Sequence, residues 1–134
     1  MHHNLIFAYL NTISAPVEKT KDGFRLIDES LHLLPNLSVL IAPIGATSSY
    51  SYFDERSMSS YAENFKSDEA FPTADSLYAW SAVSDKLNFW TYNADFLDYQ
   101  PPFLMWYGLD QNYRKFKELN TQYIFEQGAY SWPS

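Results

Sequence analysis

Apolar positions along the chain gather in four short runs separated by longer, mixed segments. Asn4 to Leu10 (NLIFAYL), Ser38 to Ile44 (SVLIAPI), the stretch opening at Leu87 (LNFW) and Gln122 to Phe125 (QYIF) have the length and run character of buried strands. Three of the four runs pass into polar groups at their ends. The first leads to Tyr9, Asn11 and Thr12, the third to Thr91, Asn93 and Asp95, and the fourth to Glu126 before Gly128. Between the runs, helical spacing predicts three helices. Phe24 to Leu34 carries Leu26, Ile27, Leu31 and Leu34 and is closed by Pro35; Thr73 is an expected N-cap for a helix to about Asp85, with Leu77, Trp80 and Val83 or Ser84 on one stripe. The helix expected from about Asp110 to Leu119 places Leu109, Tyr113, Phe116 and Leu119 on one side and Arg114, Lys115, Lys117 and Glu118 on a solvated face. Tyr61 to Ala70 has only weak helical periodicity.

Val17 to Asp22 is charged and reads as a surface loop, whereas Gly45 to Ser60 is too long and too rich in Ser and Tyr for an ordinary connector. Tyr50, Tyr52 and Phe53 favour its use as a pocket wall. Pro101 and Pro102 stiffen the loop that follows Asp95.

Strands alternating with helical segments define the α/β class, with parallel βαβ units. Polar groups at the strand ends match folds whose sites form where parallel strands terminate. Four such units make about half of a (β/α)8 barrel of roughly 250 residues. The expectation is one domain over residues 1–134, four parallel βα units forming half of a TIM-type barrel.

Composition narrows the function. A net charge of -7 with nine Lys plus Arg argues against nucleic acid and anionic membrane surfaces. No run approaches the roughly 20 apolar residues of a membrane span. The first residues lack the pattern of a signal peptide, so localisation is left open; if the parent protein is exported or displayed at the cell surface, its signal is expected outside this chain. With no cysteine and three scattered histidines, no metal-ligand spacing occurs, and four glycines form no phosphate-binding motif. No GxSxG elbow is present, and no cofactor is implied. The distinctive feature is 11 Tyr, 10 Phe and 4 Trp, whose flat faces suit amphipathic ligands such as sugar rings.

Several stretches carry a resemblance. Trp80, LNFWTYNADF from Leu87, the proline-containing loop, YRKFKE and YIFEQGAY look like the last part of a bacterial domain of unknown function found in glycoside-hydrolase-like proteins. FAYLNTISAP and VLIAPIGATSSYSYFD extend the likeness upstream. That family is a (β/α)8 barrel distantly similar to alpha-glucuronidases. The resemblance implies that the chain corresponds to strands 5 to 8. It also implies that Asp95 and Glu126 match the late carboxylate pair of those enzymes, while no residue here matches their earlier general acid.

Two functions follow as alternatives. In the first, the chain carries part of the site of a glycoside-hydrolase-like barrel, hydrolysing O-glycosyl bonds only when the barrel is complete. Asp95 and Glu126 would be its catalytic carboxylates. Tyr9, Asn11, Trp90, Tyr92, Asn93, Asp98, Tyr99 and Trp106 would contact an oligosaccharide or glycan. In the second, it is a non-catalytic carbohydrate-binding or interaction module, completed by an N-terminal barrel half or by association into a homo-oligomer.

Overall fold

The computed structural model describes residues 4–47, 49–59, 71–94 and 105–128. The expected segment Tyr61 to Ala70 lies outside them. β1 (Asn4–Tyr9) ends in a short 3-10 turn, Leu10–Thr12. β2 (Val17–Thr20) and β3 (Gly23–Leu26) follow as an antiparallel hairpin, and a second 3-10 turn, Glu29–Leu31, leads into β4 (Leu37–Ala42). β5 (Met58–Ser59) pairs with β6 (Phe71–Pro72), which enters α1 (Thr73–Ser81). β7 (Leu87–Tyr92), α2 (Trp106–Glu118) and β8 (Ile124–Gln127) complete the order.

The hairpin replaces the expected surface loop and the start of the expected first helix, whose remainder holds only the 3-10 turn Glu29–Leu31. Val17 and Leu26 alternate with polar positions and pack inward, while Gly23 adopts φ +130 at the turn, a conformation open to glycine. Ile27 and Leu34, which completed the helical spacing, are solvent-exposed. Thr73 is the first residue of α1 rather than its cap; Pro72 precedes it, and the Thr73 hydroxyl instead meets Ser57 Oγ at 3.0 Å.

β1, β4, β7 and β8 form one parallel sheet in that order. Every new strand therefore lies beside its predecessor, with no reversal of winding, which is the order of a barrel rather than of a doubly wound sheet. The fold is α/β and consistent with half of a (β/α)8 barrel. Winding in one direction places the connections on one face. On that face Ala8, Val39, Ile41, Leu87 and Phe89 pack against Leu77 and Trp80 of α1 and Phe116 of α2. Phe89 and Phe116 stack with centroids 4.0 Å apart. Trp80 Nε1 donates to the Ile13 carbonyl at 2.7 Å, joining α1 to the chain leaving β1.

The register sends the alternate residues to the other face. Phe7 lies beside Leu40 and Leu40 beside Asn88, while Trp90 lies beside Phe125 and Tyr92 beside Gln127. In a closed barrel this would be the interior.

Candidate functional site

At the carboxyl end of the sheet, each strand is stopped by local chemistry that fixes its last side chain. β1 stops because Leu10 takes a left-handed conformation, φ 49. The Thr12 hydroxyl holds the turn, donating to the Tyr9 carbonyl at 2.9 Å and accepting from the Tyr9 N–H at 3.1 Å. Pro43 ends β4, and Ile44 N–H turns back to the Ala42 carbonyl at 2.8 Å. β7 and β8 are tied beyond their last rung by Asn93 N–H to the Gln127 carbonyl, 2.8 Å.

Around these ends lies an open cavity of about 310 Å³ lined by Phe7, Tyr9, Ile44, Trp90, Tyr92 and Gln127. Trp90 is its centrepiece. The indole packs against Phe7 and Phe125 with centroid separations of 5.7 and 4.4 Å, and Phe7 in turn stacks on Tyr9 at 5.3 Å. Trp90 Nε1 donates to Gln127 Oε1 at 2.7 Å, which fixes the ring plane and leaves the Gln127 amide NH2 as a donor on this wall.

Glu126 occupies different surroundings. It lies in register with Thr91, on the helix-bearing side, and its Oε1 accepts from the Tyr113 hydroxyl of α2 at 2.6 Å. Its Oε2 is buried without a partner among the described residues. Partial burial and the hydrogen bond to Glu126 push the Tyr113 phenol up to about 12. Nearby, burial raises the Tyr52 phenol strongly, and its oxygen takes a backbone hydrogen bond from Tyr92.

The long loop after β4 is built onto α2 rather than onto the cavity. Ser51 Oγ and Tyr52 N–H both donate to Asn112 Oδ1 at 2.8 Å. Tyr52 and Phe53 pack against Phe116, and Arg56 lies over the Tyr50 ring while its guanidinium pairs with Asp54. The expected pocket wall is thus a plug over the core.

A family model described as "Domain of unknown function (DUF4838)" matches residues 29–133. The chain belongs to this family. No curated protein and no solved structure matches the chain. In this DUF4838 chain, Tyr9, Trp90 and Tyr92 come together in the cavity. Asn93 is exposed, Trp106 stands on the first turn of α2, 73% exposed, and neither is among the lining residues. Glu126 does not line the cavity. Asp95, Asp98 and Tyr99 lie outside the described residues, as does the side chain of Asn11. Phe7, Ile44 and Gln127 are cavity residues that sequence reasoning missed. Phe7 and Gln127 were legible as positions two removed from Tyr9 and Phe125 along strands of period two; Ile44 carried no comparable signal. Among the described residues no group of three His, Asp or Glu could hold a metal ion, and no helix is long and apolar enough to cross a membrane.

Proposed function

We propose that the chain supplies the ring-binding wall of a carbohydrate site in a glycoside-hydrolase-like barrel. The observation that carries this reading is Trp90, a flat indole held in place by Gln127 and backed by Phe7 and Phe125 at the carboxyl end of the sheet. A sugar ring has an apolar face bordered by hydroxyl groups, so it is served by an aromatic plane with hydrogen-bonding groups at its edge. Tyr9, Tyr92 and the Gln127 amide bring such groups to the same cavity. A volume of about 310 Å³ stands at the small end of ligand pockets, the size for one ring of a longer glycan.

Hydrolysis asks for more, since two carboxyl groups must flank the scissile bond. The chain's candidates remain Asp95 and Glu126. With Glu126 bonded to Tyr113 on the helix side, the chain by itself binds rather than turns over.

The test is heteronuclear NMR during titration with neutral and uronic-acid oligosaccharides to about 10 mM, a range that captures the weak affinity expected of a partial site. The Trp90 indole N–H signal should shift while that of Trp80, bonded to Ile13 in the core, stays put. Trp90→Ala should abolish binding, and Glu126→Gln should leave it intact. An unmoved Trp90 signal with every saccharide would overturn the reading.

A further inference from the structure

We infer that the cavity selects a sugar ring bearing an acetamido group, whose carbonyl accepts from the Gln127 side-chain amide while its methyl group rests on the aromatic surface alongside. The inference rests on the carbohydrate reading above and names the substrate class of that same site.

The orientation of Gln127 carries the argument. An indole N–H can only donate, so the 2.7 Å contact with Trp90 Nε1 requires the amide oxygen on that side and turns the NH2 away from it. Gln127 is half-buried on the cavity wall, and its Nε2 has no hydrogen-bond partner among the described residues. With its oxygen engaged by Trp90, the amide presents a donor to the ligand. A sugar hydroxyl matches this imperfectly, because it also donates and its own proton would then face aromatic rings. A carbonyl only accepts.

The surroundings decide which acceptor fits. A carboxylate also only accepts, but none of the six lining residues carries a charge to offset its desolvation. The Gln127 NH2 stands one amide group from the indole edge, and the indole packs on Phe7, whose ring is 43% exposed. A group bound to that donor therefore lies against uncovered apolar surface, where a methyl group is stabilised by burial and a further hydroxyl is not. An acetamido substituent joins a neutral acceptor to a methyl end, and its amide carbonyl is a stronger acceptor than that of an ester. Its own N–H is served by a phenol oxygen, which Tyr9 brings to the same lining.

The test is an NMR titration of the chain, read at the Trp90 indole N–H, with N,N′-diacetylchitobiose and with cellobiose. These disaccharides share their linkage and differ at the second carbon of each ring. Diacetylchitobiose should bind about tenfold more tightly, the combined effect of one buried methyl group and one better-matched hydrogen bond. In Gln127→Glu one carboxylate oxygen still accepts from Trp90, so the indole signal of the free variant keeps its hydrogen-bonded position, but the donor is lost and the tenfold preference should fall away. Equal affinity for the two disaccharides, or tighter binding of cellobiose, would overturn the inference and leave the carbohydrate reading standing. An undiminished preference in Gln127→Glu would overturn it as well. A Trp90 signal unmoved by every saccharide removes the carbohydrate reading and this inference with it, an outcome distinct from binding without preference.

Discussion

Glu126 and Gln127 are adjacent in the chain and on opposite sides of the sheet. The sequence made Glu126 conspicuous because an acid after an apolar run looks like a strand-end functional group. The run, however, does not stop at Phe125; it continues as β8 through Gln127. Once the strand includes these residues, period two puts Glu126 with Ile124, a partner of the core, and Gln127 with Phe125. That Tyr9, Trp90 and Tyr92 gather at one cavity was legible in their places at strand ends, whereas the side of the sheet that Glu126 takes depends on a strand boundary that composition does not mark. The partial burial of Tyr113, together with its contact with Glu126, has a consequence for pH. Its phenol is raised from 10.0 to about 12 in the folded chain, so the folded state holds this proton more tightly than the unfolded state. The stabilisation is complete below pH 10 and is lost as pH rises through about 12. Thermal melts from pH 9 upward should thus show an alkaline loss of stability that is smaller in Tyr113→Phe.

Among elements, the four parallel strands were readable because each is a compact apolar run with few alternatives. The hairpin of β2 and β3 was not. Leu26, Ile27, Leu31 and Leu34 happen to fit helical spacing, and nothing local announces that all but Leu26 are left in solvent. The segment from Gly45 to Ser59 illustrates a different difficulty, because its order comes from tertiary contacts. Asn112 satisfies two donors of the loop, and Gly108 allows α2 to approach so closely that an added Cβ would stand 2.5 Å from Ser51 N and 2.6 Å from the Tyr50 carbonyl carbon. Asn112→Ala leaves a buried N–H and hydroxyl without an acceptor and should cost about 2 kcal/mol. Gly108→Ala forces backbone against backbone and should cost a similar amount, about 2 kcal/mol. As both changes loosen the same contact, urea unfolding of the double variant should show less than the sum. Strict additivity would mean that the loop and α2 are not docked as one unit.

For the whole molecule, the alternation of runs and spacers was enough to specify a parallel α/β sheet, and the polar strand ends pointed to the end of the sheet that holds the cavity. Which face each residue takes depends on the ladders between strands, and these are unequal. β1 and β4 share six register pairs and β7 and β8 share four, but β4 and β7 meet over only three, Val39 with Leu87, Leu40 with Asn88 and Ile41 with Phe89. The middle of the sheet is thus its shortest backbone seam, joined mostly by side chains such as Ile41, Phe89, Leu77 and Phe116. Chain order and sheet order coincide there, so a single scission between residues 59 and 71 separates the protein into two pieces, each retaining an adjacent pair of parallel strands. The pieces, expressed separately and mixed, should recover the circular dichroism of the intact chain, and Phe89→Ala should prevent their reunion. The barrel-like winding thereby makes the polypeptide divisible: its continuity at the centre is supplied by interdigitated rings and aliphatic groups, which can find one another without a covalent link.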